Sequence, residues 1–178
     1  MLEMLKQKTS KKQFDYSTFF TEKKLASNFK AEDKKLLKEL KKIKGKCLVF
    51  SDHPDTVKIL HKNKDFKNDS LLVTSDVKRN KRQEIVNEFN TSSDKKYLFM
   101  TIRVGNTGFD VFVPNIMLID LSLVPAENKQ AIGRIKRMNA KYRSINIYQV
   151  IASETDAKVQ KILLSKINEK NIIEGNEK

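Results

Sequence analysis

Two arginines, Arg134 and Arg137, stand three residues apart in the stretch QAIGRIKR, just behind Gly133. At helical spacing they are neighbours on one turn. Each guanidinium offers a planar fork of donors and a fixed charge, which suits the phosphates of a nucleotide. Gly133 removes a side chain where something must pack closely, and Gln130 stands one turn earlier. In so lysine-rich a chain, any single arginine can be read as part of a solvated basic face. The combination Q-x-x-G-R-x-x-R is much more specific.

Hydroxyls, glycines and basic residues recur where apolar runs end. Thr101 closes the run YLFMT and is followed by Arg103, Gly105, Gly108 and Asp110. Glycines there let backbone approach a ligand closely or take positive φ. Thr101 can present its hydroxyl to a phosphate or sugar, and Asp110 can accept from a ribose or fix an arginine. Ser51 and Asp52 close the run KCLVF. They can cap the next helix or offer hydrogen bonds to a phosphate. Thr74 and Ser75 follow SLLV, with Lys78, Arg79, Lys81 and Arg82 behind them. Hydroxyls beside a basic helix start suit backbone phosphates, and a capped, solvated helix is the plainer alternative. His53 and His61 lack partners at metal-ligand spacing, so no metal site is expected.

Positioning these groups needs a scaffold, and the apolar pattern supplies one. Short apolar runs at 46–51, 70–74, 97–101, 115–120 and 144–151 suit strands buried on both faces. Between them, apolar residues at helical spacing predict helices over 31–44, 55–62, 79–90, 128–137 and 154–171. Gly45 ends the first helix well. Strand and helix alternate with short connections, which is the pattern of an open parallel α/β sheet of about five or six strands with helices on both faces. Such sheets bind ligands at the carboxyl ends of their strands. Residues 1–30 are polar, basic and weakly periodic. They read as an N-terminal extension or linker, with Leu2, Leu5 and a Phe14–Phe20 patch forming a short helix docked on the body as one reading. Residues 174–178 read as a frayed tail.

The chain has 178 residues, 39% of them hydrophobic, enough for one domain with a core. No apolar run reaches the roughly 18 residues a membrane span needs, and the start lacks the apolar core of a secretory signal. A soluble intracellular protein, of cytoplasm or nucleoid and with no membrane partner, is expected. Cys47 is the single cysteine and sits in an apolar run, so a buried inert thiol is expected. The formal net charge of +14 favours a polyanionic partner such as nucleic acid. An AT-rich genome, as in some bacteria, phages or large DNA viruses, gives the same lysine and asparagine bias.

Over residues 31–170 the chain resembles the C-terminal RecA-like domain of superfamily 2 helicases, and most of all the Swi/Snf-type duplex-DNA translocases. QAIGRIKR is similar to the family's sixth motif and TIRVGNTGFDV to its fifth, where Asn106 departs from a usual pair of glycines. KCLVFSD resembles the fourth motif. TSDVKRNKRQEIVNEFN resembles the basic segment after it, with Arg82, Phe89 and Asn90 at the expected places. The closing INIYQVIASETDAKVQKILLSK is similar to the family's last strand and helix.

The resemblance implies a RecA-like domain over 31–173 and a set of roles. Arg134 and Arg137 would reach nucleotide phosphates held by a first domain, one of them as an arginine finger. Gln130, Gly133, Gly108 and Asp110 would lie at the nucleotide. Ser51, Thr74, Ser75, Arg82, Thr101 and Arg103 would lie along the nucleic acid, with duplex DNA the expected form. ATP and Mg²⁺ would be held mainly by an N-terminal RecA-like domain, in cis or in trans. The sequence contains no G-x-x-x-x-G-K-[ST] and no acidic Walker B cluster after a strand. The chain by itself is therefore expected not to hydrolyse ATP. The rival readings are a non-catalytic nucleic-acid or protein platform on the same fold, and half of an RNA helicase.

Overall fold

Apolar runs of four or five residues avoid water only when both faces of their strands are covered, and the fold is arranged to do that. The computed structural model describes residues 3–10, 34–105, 107–120, 122, 124, 126–128, 130–131, 142 and 144–151. In chain order these form β1 (Glu3–Ser10), α1 (Lys34–Lys42), β2 (Cys47–Ser51), α2 (Pro54–Lys62), β3 (Ser70–Val73), α3 (Arg79–Thr91), β4 (Tyr97–Thr101), the short α4 (Ile102–Gly105), β5 (Asn115–Leu118) and β6 (Ser144–Ile151). Residues 126–128, 130 and 131 are also helical. The helix expected over 154–171, most of that over 128–137, and the Phe14–Phe20 patch lie outside the described residues.

The strands form one sheet in the order β1-β6-β5-β2-β4-β3. The five strands from β6 to β3 are parallel, as expected. The sixth is β1, which runs antiparallel to β6 with Glu3 opposite Ile151 and Ser10 opposite Ser144. The first residues therefore form an edge strand where a helix or linker was one reading of the sequence. Their polar composition hid this, because an edge strand can hydrogen-bond along one side without a continuous apolar run.

Side chains alternate across the sheet, and the alternation sorts the core into two layers. Leu48, Phe50, Leu98, Met100, Ile116 and Leu118 meet Val86 and Phe89 of α3 and also Ala131. Cys47, Val49, Tyr97, Phe99, Met117 and Ile119 point the other way, onto Leu36 and Leu40 of α1 and Val57 and Leu60 of α2. Full burial of one such side chain contributes about 1.5–3 kcal/mol. Both layers are needed, since β2 and β4 are buried along their whole length.

Polar anchors set the layers' positions. The Tyr97 hydroxyl donates to the Leu40 carbonyl at 3.2 Å, tying β4 to α1, while the Phe66 ring packs edge-on to Tyr97 at 5.0 Å. Asn115 is buried at the start of β5, and its amide donates to the Lys44 and Lys46 carbonyls at 2.8 and 3.1 Å. It thereby holds the turn in which Gly45 takes a φ of +80°. Cys47 is fully buried, and burial pushes its thiol pKa well up, which leaves it an inert core group.

Removing residues 1–10 should strip hydrogen-exchange protection from alternate β6 amides, those that bond β1 in an antiparallel ladder. Amides of β2 and β4 should keep theirs. Unchanged β6 protection would show that β1 contributes nothing to the sheet.

Candidate functional site

The carboxyl ends of β2, β4 and β3 bring three of the expected residues into a row. Ser51 lies opposite Thr101 in the ladder, and Thr74 follows Val73, the partner of Met100. All three side chains are buried. The reason at Ser51 is visible in its bonds. Its hydroxyl donates to Asp120 Oδ2 at 2.5 Å and accepts from the His53 amide at 3.0 Å. The Asp52 amide donates to the other Asp120 oxygen. One carboxylate thus fastens the loop after β5 to the loop after β2. Burial pushes the Asp120 carboxyl pKa up, against the lowering effect of those two donors and of His53. Ser51 was expected on the nucleic-acid track. As placed, its hydroxyl is committed to Asp120 and has no outward face.

The loop after β3 is also self-bound. Arg82, half-buried on α3, donates from Nε to the Val77 carbonyl at 2.6 Å and from a terminal nitrogen to the Ser75 carbonyl at 2.9 Å. Sequence reasoning gave this arginine to a phosphate. Here the guanidinium shapes the loop, and exposed Ser75 is what the loop presents. Lys58 of α2 pairs with Asp76 in the same loop at 2.5 Å, with both side chains largely in water, so the pair contributes little stability. The lysine holds the Asp76 carboxyl below its usual value.

After β4 the two glycines do different work. Gly108 has a φ of +98° and is exposed, as a turn that needs positive φ requires. Gly105 does not have positive φ, and it faces the core. A Cβ there would lie 2.5 and 2.9 Å from two ring carbons of the buried Phe50. Gly105 therefore serves packing beneath the loop, where close approach to a ligand or a positive φ was the sequence expectation. Arg103, on α4, is exposed. Asn90 organises the far side of this loop: its amide donates to the Asp110 carbonyl at 2.6 Å and accepts from the Phe112 amide at 3.0 Å. Asp110 is half-buried with its backbone held in this way.

The helical segment that begins the Q-x-x-G-R-x-x-R stretch is anchored by a buried clamp. Asn128 accepts from the Ser122 amide at 3.0 Å and donates to the Ser122 carbonyl at 2.8 Å. The Ser122 hydroxyl donates to Glu127 at 2.6 Å. Ala131 sits in the core, while Gln130 is exposed. Gly133, Arg134 and Arg137 lie outside the described residues. Among the described residues no group of three or more His, Cys, Asp and Glu side chains is arranged to hold a metal ion. No helix among them is long and apolar enough to cross a membrane.

The fold and this loop arrangement can now be set beside known proteins. The helicase conserved C-terminal domain family matches residues 31–139. The chain belongs to that family. Its curated relatives include the SNF2 domain-containing protein CLASSY 3 of Arabidopsis thaliana, 31% identical over 64% of this chain and 8% of that protein. Transcription termination factor 2 of Drosophila melanogaster is 34% identical over 65% of this chain and 11% of its own length. The chain thus spans about a tenth of the relatives it matches. Among solved structures, the C-terminal part of the Fun30 ATPase domain superposes with a TM-score of 0.57 at 18% identity, covering 76% of this chain and 53% of that one. Within the helicase C-terminal family the likeness is thus to Swi/Snf-type proteins, and the RecA-like α/β fold is shared with Fun30.

Every site residue expected from the sequence falls in the matched span. Sequence reasoning missed Asp120, Asn90, Ser122 and Asn128 as the groups that hold the helicase domain's loops. Asp120 carried no signal, because it acts on Ser51 and Asp52, which only the fold brings near.

Gly105→Ala should destabilise the domain by about 1–3 kcal/mol, since the buried Phe50 ring has nowhere to go. Combined with Phe50→Leu, the two costs should sum to more than the double change shows. Urea unfolding measures both. Wild-type stability in Gly105→Ala would contradict the packing role.

Proposed function

We propose that the chain is the C-terminal half of an ATP-driven duplex-DNA translocase of the Swi/Snf type. It would supply an arginine finger and part of the DNA track to a partner domain that cradles the nucleotide. The observation that carries this is the buried Ser122–Asn128 clamp. It fixes the start of the Q-x-x-G-R-x-x-R segment at the carboxyl edge of the sheet and leaves Gln130 facing out. Arg134 and Arg137 follow Gln130 by four and seven residues. In a continuing helix both share its face. A mere binding platform has no need of that spacing.

In this reading the described residues have positioning tasks. Asp120, through Ser51 and Asp52, keeps the β2 and β5 loops together. Asn90 holds the backbone of Asp110, and Gly108 gives the turn before it. Exposed Ser75 and Arg103 are the groups placed to meet a DNA backbone, with Thr74, Thr101 and Arg82 shaping the loops beneath them. ATP and Mg²⁺ would be held chiefly by the partner domain, and binding and hydrolysis of ATP there would close and reopen the two halves. This chain's own contribution is fixed positive charge brought to the phosphates by Arg134 and Arg137. The printed names of relatives support the partner class: one is a DNA repair and recombination protein, RAD54 of rice, and another a chromatin-remodelling ATPase, ISW1 of yeast.

In the complete enzyme, Arg134→Ala or Arg137→Ala should cut DNA-stimulated turnover by roughly 10³–10⁵ for the finger residue. Duplex binding should stay near its wild-type strength. Wild-type turnover in both variants would remove the arginine-finger assignment. Stimulation by duplex RNA but not duplex DNA would replace the DNA reading with an RNA one.

A further inference from the structure

The opposite edge of the sheet, where β3 and β4 begin, carries a charge cluster that the motor site does not use. The chain reaches β3 through residues 63–69 and β4 through residues 92–96, and these connections lie side by side because the two strands pair. Lys64 and Lys67 stand exposed on the first. Lys62 ends α2 just before it, also exposed. Lys95, on the second, crosses to donate to the Asn68 carbonyl at 2.8 Å, which ties the two connections together.

Between them sits a half-buried histidine, His61, whose Nδ1 lies 2.9 Å from the Ser70 hydroxyl. Burial and the positive charge of Lys95, Lys62 and Lys67 all hold its pKa below the ordinary value. Lys62, Lys64 and Lys67 lie within six residues of His61 along the chain, and the Lys95–Asn68 bond brings a fourth lysine to the same connection. Across residues 62–69 and 92–96 five lysines, counting Lys96, outnumber the three carboxylates Asp65, Asp69 and Asp94. Asp65 is engaged by Lys41 at 2.7 Å, Asp69 is half-buried, and the Asp94 carboxylate accepts from Ser93. Among the described residues, no salt bridge involves Lys62, Lys67 or Lys95.

We infer that this edge, built by Lys62, Lys64, Lys67 and Lys95 around His61, is a second binding surface for the phosphate backbone of duplex DNA, on the side of the sheet away from the motor cleft. Lysine point charges neutralise phosphates without reading bases. The exposed large hydrophobic residues described are Ile59 and Val124, so among the described residues no exposed aromatic ring offers a stacking platform for single-stranded bases. A partly buried imidazole at the centre is a built-in reporter. A phosphate docked among the lysines reverses the field at His61 and favours its protonated form. The choice of DNA as partner rests on the translocase reading; the surface itself rests on the lysine geometry.

The test uses the 178-residue chain and a short mixed-sequence DNA duplex. Anisotropy titrations compare wild type with Lys62→Glu/Lys67→Glu, with the milder Lys62→Gln/Lys67→Gln, and with Lys78→Glu/Arg79→Glu at the opposite edge. Thermal melts check that all four fold. The surface predicts that the Lys62/Lys67 reversal weakens binding by about tenfold or more, and that the salt slope falls by about one per lysine. The Gln pair should show the same slope change, and the His61 pKa followed by NMR should rise on adding duplex. Loss confined to the Lys78/Arg79 variant, with His61 unmoved, overturns this surface and leaves the translocase reading intact. Failure of the chain to bind duplex also overturns it. A His61 response to polyglutamate but not to duplex assigns the surface to an acidic protein and overturns the DNA inference.

Discussion

A parallel sheet buried on both faces leaves chemistry only at its two ends, and that constraint governs this domain. Cys47 to Ser51 and Tyr97 to Thr101 are buried throughout. They can stay so only while α1 and α2 cover one face and α3 the other. The described loops that emerge at the carboxyl ends of β2, β3, β4 and β5 are then tethered to a rigid base. The tethers are short polar contacts at the sheet's margin: Asp120 on Ser51 and Asp52, Arg82 on its own loop, Asn90 on Asp110 and Phe112, Asn128 on Ser122. Buried polar groups so paired are stabilising mainly because their partners would be costly to leave unmade.

This division of labour explains why hydroxyls at strand ends need not face a ligand. Ser51, Thr74 and Thr101 form a buried row, and the outward groups are one residue or two further on, at Ser75 and Arg103. An edge made this way is held by backbone and by polar contacts behind it rather than by the row itself. It can hold its shape while a facing domain closes and opens, which a motor half requires.

Much of the scaffold was legible from the chain. Continuous apolar runs such as CLVF and YLFM have few alternatives to a doubly covered strand, and LLKEL between lysines is plainly amphipathic. The edge strand Glu3–Ser10 was not legible, because its pairing with β6 joins residues far apart and needs no apolar signature. The site was legible in its types and less so in its uses. Gly105 and Gly108 look alike in sequence. Only the position of Phe50 shows that one serves packing and the other a turn. Ser51 looks available until Asp120, far along the chain, folds beside it. Composition gave the +14 charge but not its distribution, and Lys95 joins the lysines that follow His61 only through the pairing of β3 with β4.

The central claim is that this chain is one half of a motor and completes its site only against a nucleotide-cradling domain. The most direct test measures DNA-stimulated ATP hydrolysis by the purified chain, by a Walker A-bearing N-terminal RecA-like domain from the same source, and by the two together. The account predicts no stimulated turnover from the chain alone and clear turnover from the mixture. Substantial hydrolysis by the verified chain alone, or none from a mixture that forms a stable complex on duplex DNA, would contradict it.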